Sequence, residues 1–390
     1  MSIKVLLLNV GRVIGAKGGA EKVFCDMANA LSERGMDVYA VCCEEKEGVP
    51  GYPLSEAVHF VNAGLRHASW RLSDSWIRLR AVLATSRASR RTVRARLTCQ
   101  KQAQQLKETL EGLAPDVIVA FQPESAYIIR ELLGLDVPLI ASFHGAARAF
   151  LDAPEFPLYE KALEASDVLT VLMPEYAEMV RARLPQSHVE CIPNAIPVVA
   201  RTSDLTSPVV MTVGRADAVK RHRLLIEAFE LLLERFPDWN LEIWGETHSR
   251  YGKQMLEEVA RRNLQKRVLH RGVTNDVPAQ LLRASVFTLP SANEGFSLAL
   301  GEAMSAGLPA VGCADCPSVN MIILSGENGI LTEPTPRGLA EGLAQLMGDV
   351  ELRRKLGAQA KEDMRSYAPP AVWKRWAQLI RSHAGESCKS

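Results

Sequence analysis

"IKVLLLNVGRVIGAKGGAEKVFCDMANALSERGMDVYAVCC", residues 3–43, decides the fold class. Its first part, "IKVLLLN" (3–9), is an apolar run of strand length without alternation, as expected of a strand covered on both faces. "GGAEKVFCDMANALSERG" (18–35) changes period: Val23, Met27, Ala30 and Leu31 recur on one helical face, and Gly35 supplies a stop. "DVYAVCC" (37–43) returns to strand. A strand, a crossover helix and a second strand make a β-α-β unit, which implies a parallel sheet.

The same alternation continues along the chain. Strands are predicted at 116–121, 138–143 and 167–173, and "VECIPNAIP" (189–197) closes a first sheet. "VVARTSDLTSP" (198–208) breaks the pattern with Ser, Thr, Asp and Pro and reads as a linker. The alternation restarts at "VVMTVGR" (209–215), with strands at 241–245, 267–272, 285–290 and 308–313 and a helix over 221–236. A chain of 390 residues exceeds one ordinary core. The expectation is therefore two Rossmann-like α/β domains, 1–197 and 206–370, facing across a cleft at the carboxyl ends of their strands, where open sheets take ligands. The apolar face of the last helix, with Val372, Trp376, Leu379 and Ile380, needs a surface to cover, so segment 371–390 is a candidate to pack back on the first domain.

Composition excludes several classes. Apolar residues make up 47% and charged residues 23%, which is globular rather than disordered. Lys plus Arg (46) against Asp plus Glu (45) leaves no global field that would recruit nucleic acid. The first apolar run is too short for a signal-peptide core or a membrane span, and the expectation is a cytoplasmic protein. Eight cysteines within mostly apolar segments read as free thiols of a reducing compartment. Cys313 and Cys316 form a C-x-x-C, but a structural zinc needs a second pair, and none lies nearby. No Asp-x-Asp pair occurs, and no metal is expected.

Three loops carry residues suited to a phosphorylated ligand. Gly15, Gly18 and Gly19, between the first strand and its helix, leave the backbone bare at a helix N-terminus, where unpaired N–H groups favour phosphate. In "VGRADAVKRHR" (213–223), Arg215 and Lys220 follow a strand end and can clamp a diphosphate, with Arg221 and Arg223 adding charge. A solvated basic loop is the plain alternative. In "NEGFSLALGEAMSAGLP" (293–309), the amides near Phe296, Ser297 and Leu298 open a short helix, Glu294 precedes them, and Glu302 lies a little over one turn further on. Two carboxylates there suit a hydroxyl-rich ligand.

"NEGFSLALGEAMSAGLP" resembles the Glu-x7-Glu signature of the retaining GT-B glycosyltransferases, specifically glycosyltransferase family 4. "GGAEKV", "VGRADAVK" and "IPNAI" (192–196) resemble that family's Gly-Gly loop, its Gly-Arg…Lys clamp and its Pro-Asn segment, in the same order and over nearly the whole chain. The resemblance implies a GT-B fold and transfer of a sugar from a nucleotide-sugar to a hydroxyl of a glycan or lipid-linked acceptor, as in bacterial polysaccharide or lipopolysaccharide synthesis. It implies that Gly18, Gly19, Arg215 and Lys220 meet the donor's phosphates, that Glu302 holds the ribose, that Glu294 contacts the donor sugar and that amides at Phe296, Ser297 and Leu298 cover its phosphate. It also implies that His144, in "SFHGAA", lies beside the transferred sugar, and that no cofactor is required. "DCPSVNMIILSGENGIL" (315–331) resembles the version that accompanies UDP-sugars, with departures from the family pattern at Val319 and Thr247.

Between Arg66 and Lys107 there are eleven Lys or Arg and one acid, Asp74. Leu72, Trp76, Leu79 and Leu83 recur within this segment at helical spacing. A basic amphipathic helix of this kind suits an anionic membrane surface or an anionic acceptor, and a basic solvated helix is the plain alternative. Two other functions remain open at this stage. A UDP-sugar epimerase shares the architecture and would release no glycoside, and a nucleic-acid binder would use the Arg-rich segment.

Overall fold

The computed structural model of the protein describes residues 2–64 and 86–385. The chain divides into two compact units, Met1–Pro193 with Val372–Ser390, and Asn194–Ala371.

The first unit is built on a parallel sheet of seven strands in the order β3-β2-β1-β4-β5-β6-β7. These are β1 (Lys4–Asn9), β2 (Asp37–Cys42), β3 (His59–Asn62), β4 (Val117–Phe121), β5 (Leu139–Ser142), β6 (Val168–Val171) and β7 (Val189–Cys191). Val5 pairs with Val38 on one side and Val117 on the other, so β1 is central. Its unbroken apolar run follows from this position, since Val5, Leu6, Leu7 and Leu8 are fully buried. The helix Gly19–Ser32 buries Val23, Phe24, Met27 and Leu31, and the Phe24 ring meets Phe121 of β4 edge-on at 5.2 Å. The chain winds outward from β1 to β3 and then returns to β4 on the other side of β1. The order therefore reverses between β1 and β4.

The second unit repeats this plan with six parallel strands in the order β10-β9-β8-β11-β12-β13. They are β8 (Val209–Val213), β9 (Asn240–Trp244), β10 (Val268–Gly272), β11 (Val286–Leu289), β12 (Ala310–Cys313) and β13 (Gly329–Thr332). Here the reversal lies between β8 and β11. Val210, Leu225, Phe229, Leu241, Val286 and Leu343 belong to its core.

One edge strand of each sheet, β3 in the first and β13 in the second, escapes the sequence pattern. β3 is only half-buried, and β13 is four residues long beginning at a glycine, so neither shows the long apolar run of a central strand. The helix expected over 221–236 runs only from His222 to Glu230. Beyond it the amides of Leu232 and Leu233 bond to Phe229 and Glu230, three residues back, and the chain continues as turns. Leu232 is still buried, because the apolar periodicity records which side faces the core rather than which hydrogen bond the backbone makes.

The last helix, Pro369–Ala384, buries Val372, Trp376, Leu379 and Ile380, and from Val372 onward it belongs to the first unit. There the Arg381 guanidinium donates to the Arg34 carbonyl at 3.1 Å, and Arg375 donates to the Cys191 carbonyl. The amphipathic pattern of Leu72, Trp76, Leu79 and Leu83 lies outside the described residues. The remainder of the basic segment forms the helix Arg87–Leu113, capped by Ser86, which accepts from the Ser89 amide, and seated through Cys99, Ala103, Leu106 and Leu110. Among the described residues no helix is long and apolar enough to cross a membrane.

Candidate functional site

In the second unit the residues singled out by sequence gather where the strand order reverses. Gly214 follows β8, and its amide donates to the Trp244 carbonyl at 2.8 Å. The backbone beside it is crowded. Gly245 has φ +142°, and a Cβ there would fall 2.0 Å from the Gly214 carbonyl oxygen, so glycine is required for the two strand ends to approach. Arg215 is exposed immediately beyond. Asp217 then caps a short turn by accepting from the Val219 amide, which brings Lys220 back toward the loop after β11. The Ala292 amide donates to the Val219 carbonyl at 2.8 Å, and the Lys220 ammonium meets Glu294 Oε1 at 2.5 Å. Lys220 is 22% and Glu294 12% exposed, so the pair is sheltered but within reach of solvent.

The helix Leu298–Ser305 opens just after Glu294. The Ser297 hydroxyl is its N-cap and accepts from the Leu300 amide at 3.3 Å. The first backbone bond of the helix runs from the Gly301 amide to the Ser297 carbonyl at 3.1 Å. The amides of Leu298 and Ala299 thus precede the first helical bond and lie at the positive end of the helix. Ala299 was not among the residues read from sequence, since only the observed cap shows which amides are already used. The Phe296 side chain is buried 5.2 Å from the Tyr367 ring, so it anchors the loop and leaves only its backbone for a ligand. Glu302 is 7% exposed and sits on the same helix. That helix lies close against the chain: a Cβ at Gly301 would strike Ile196 at 2.4 Å, and Ser305 accepts from the Val199 amide and donates to the Pro197 carbonyl.

Two of the four cations in 213–223 are engaged elsewhere. Arg221 forms a fork with Asp315, at 2.8 and 2.7 Å, which ties the loop after β8 to the loop after β12. This contact holds the Asp315 carboxyl below its ordinary range. Arg223 lies over the Tyr251 ring and donates to Gln254. Arg215 and Lys220 remain with the site. Cys313 and Cys316 are both buried free thiols, and burial pushes Cys313 up to about 11, so the C-x-x-C is packing rather than reactive chemistry.

In the first unit the predicted residues follow two different strands, Gly18 and Gly19 after β1 and His144 after β5. Gly18 is the N-cap of the helix Gly19–Ser32 without a side-chain bond, which leaves the first-turn amides open. The long loop before it is braced by Glu44, a residue the sequence did not single out: its Oε1 accepts from the amides of Val13 and Ile14 at 2.6 and 2.7 Å. Gly51 presses on the same loop, where a Cβ would lie 1.9 Å from the Ala16 carbonyl oxygen. His144 follows β5 and stacks on Phe121, with ring centroids 4.5 Å apart. Its Nε2 is 3.0 Å from the Ser142 hydroxyl, which in turn accepts from Thr170. A cavity of about 380 Å³ opens here, lined by Ala20, Phe121, Gln122, Phe143, His144 and Phe150 among others.

Comparison with known proteins bears on the family and the fold. Residues 17–199 match the family model Glycosyltransferase Family 4, and residues 199–363 match Glycosyl transferases group 1. An exopolysaccharide phosphotransferase of Streptomyces coelicolor is 31% identical over 71% of this chain, and the chain spans only 29% of that relative's length. A lipopolysaccharide core biosynthesis glycosyltransferase of Rhizobium meliloti is 22% identical, with 94% of this chain and 97% of the relative covered. Among solved structures, a sucrose-phosphate synthase of Thermosynechococcus elongatus superposes with a TM-score of 0.79 at 18% identity, covering 97% of this chain and 98% of its own. An Anabaena protein, HepE, in complex with UDP and glucose superposes at 0.71 with 17% identity, over 97% of this chain and all of that one.

Proposed function

The chain belongs to the GT-B glycosyltransferases of group 1 and family 4, and from that premise we propose that it transfers a sugar, with retention at the anomeric carbon, from a UDP-sugar to a hydroxyl of a glycan or lipid-linked acceptor in bacterial cell-surface polysaccharide or glycolipid synthesis. The observation that carries the reading is the meeting of Lys220 and Glu294 at the reversal point of the second sheet, beside Arg215 and the open amides of Leu298 and Ala299. In this reading the cations and the helix N-terminus face the diphosphate, where negative charge grows as the bond to the anomeric carbon breaks. Donors already aimed at that charge lower the barrier without reorganising. Glu294 accepts from the sugar's hydroxyls and Glu302 from the ribose, so the two carboxylates orient the donor, and neither is assigned a covalent role. Gly18, Gly19 and His144 belong to the first unit, which in this reading takes the acceptor. Arg215 and Lys220 supply the neutralising charge that other transferases draw from a metal ion. The protein acts in the cytoplasm, at the membrane face through its basic segment.

A thermal-shift panel of UDP, GDP and ADP on the wild type, Glu302→Ala and Arg215→Ala tests the donor assignment. UDP at a hundred times its dissociation constant is expected to add about 2.7 kcal/mol of stability. Both substitutions should shrink that shift. Equal shifts with all three nucleotides, or a UDP shift that both variants retain, would remove the assignment. Analysis of products from UDP-sugar plus acceptor then separates a transferase, which yields a glycoside, from an epimerase, which does not.

A further inference from the structure

The helix Arg250–Arg261, which follows β9, holds the loop that carries Arg215 and Lys220. Ser249 is its N-cap and uses its hydroxyl twice: Oγ accepts from the Gly252 amide at 2.9 Å and donates to the Ala216 carbonyl at 2.7 Å. The second bond is not needed for capping, since a cap only has to accept. The Ala216 amide is also taken, donating to the Glu246 carbonyl at 2.8 Å. Both backbone polar groups of Ala216, which is 2% exposed, are thus fixed by the loop after β9. On the other side of Arg215, the Gly214 amide is bonded to Trp244. Further along, the Arg223 amide donates to the Tyr251 hydroxyl at 3.3 Å, and its guanidinium lies over the Tyr251 ring. The start of this helix therefore holds loop 214–223 at both ends.

Arg215 is exposed and forms no ion pair among the described residues, so no carboxylate sets the direction of its guanidinium. Its aim follows from the backbone on either side. Lys220, by contrast, is held by Glu294. The loop after β9 is itself tight: a Cβ at Gly252 would fall 2.5 Å from the Thr247 carbonyl oxygen. The family pattern carries glycine at Thr247, and here the close approach is made at Gly252 instead.

We propose that Ser249 is a positioning residue for the donor's diphosphate: its bond to the Ala216 carbonyl fixes the peptide after Arg215 and so aims the guanidinium before the ligand arrives. The proposal rests on the reading of Arg215 as a diphosphate ligand and goes beyond it by assigning the residue that orients it. An arginine loses freedom when it binds, and fixing part of that freedom in advance raises affinity for the group it meets. Ser249 acts through Arg215, so the nucleoside portion of the donor gains nothing from this bond.

The test measures binding of UDP and of uridine, the phosphate-free reference, to the full chain by ligand-observed NMR. The wild type is expected to prefer UDP. Ser249→Ala should lower UDP affinity about tenfold, the lower end of what a hydrogen bond to a charged group contributes, and leave uridine unchanged. Ser249→Thr, which keeps a hydroxyl that accepts and donates, should restore UDP binding. Ser249→Gly keeps a residue tolerated at the N-cap but has no hydroxyl, so it should fold nearly as well as the wild type and bind UDP as weakly as Ser249→Ala. In an Arg215→Ala background, Ser249→Ala should cost no more than about twofold further, because the two residues act through one contact. A cap that serves folding alone lowers the melting temperature of Ser249→Ala and leaves the UDP-to-uridine ratio at its wild-type value. That ratio, UDP binding retained by Ser249→Gly, or an undiminished effect of Ser249→Ala in the Arg215→Ala background overturns the proposal while the donor reading stands. A wild type that binds UDP no better than uridine overturns the donor reading itself.

Discussion

His222 shows how much one side chain can depend on its place in the fold. In sequence it is one member of a basic stretch. In the structure it is 2% exposed, and its Nδ1 has no hydrogen-bond partner among the described residues. Burial above all, and then the charge of Lys220, holds its pKa down to about 4, with Asp217 opposing. It is neutral in the folded chain, while in the unfolded chain it titrates near 6.5. Stability is therefore full above about pH 6.5 and is lost as the pH falls from there toward 4, because only the unfolded state takes up the proton. Urea unfolding at pH 7.5 and pH 5 should differ by about 2 kcal/mol from this group alone, and His222→Gln should remove that part of the slope. Other positions were legible in advance. Glu294, Glu302, Arg215 and Lys220 stood out because acids and cations at strand ends and in an apolar helix need a reason. The engagement of Arg221 by Asp315, 94 residues away, was not legible, since no local pattern marks a partner so distant in sequence. Val319, where the family pattern carries glycine, has a packing account: a Cβ at Gly312 would lie 2.4 Å from its side chain, so Val319 fills the space that Gly312 leaves open.

At the scale of elements, the helix Leu298–Ser305 carries the donor reading and is short enough to depend on its cap. At eight residues it has little stability of its own, and the Ser297 hydroxyl satisfies one of its first amides. Ser297→Ala is expected to cost about 1 kcal/mol of stability and to weaken UDP binding, since the first-turn amides lose their fixed direction. Chemical denaturation measures the first effect and a UDP titration the second. An unchanged UDP affinity would show that the cap serves folding only. The loop after β1 follows the opposite rule: its shape comes from Glu44 and Gly51, on the far side of β2, rather than from its own residues. Central strands and crossover helices were readable because each carries its own period. The edge strands β3 and β13 and the turn after Glu230 were not, because short half-covered strands and three-residue hydrogen bonds leave little periodic trace.

At the scale of the whole molecule, near neutrality conceals a strong local imbalance. The chain has a formal charge of +1, yet 66–107 carries eleven cations against one acid. The fold neutralises some of these, with Arg91 on Glu155, Lys101 on Glu45 and Lys107 3.9 Å from Glu111. What remains is expected to retain the protein on vesicles containing anionic lipid at low salt and to release it as ionic strength rises and screening shortens the field. Sedimentation with anionic and neutral vesicles across a salt series checks this, and equal retention on both would end the membrane reading.

The sequence by itself determined two parallel α/β sheets and the residue types at three strand ends, because hydrophobic period and loop chemistry are local properties that every segment carries within itself. Tertiary structure alone decided the order of strands in each sheet. It decided that the reversal point of the second sheet brings Lys220 to Glu294, that His144 lines one cavity with Arg91 and Glu155, which cations are engaged elsewhere, and that His222 stays neutral. These depend on which distant segments share a dielectric environment and a hydrogen bond, and a periodic reading of one segment contains no such distance.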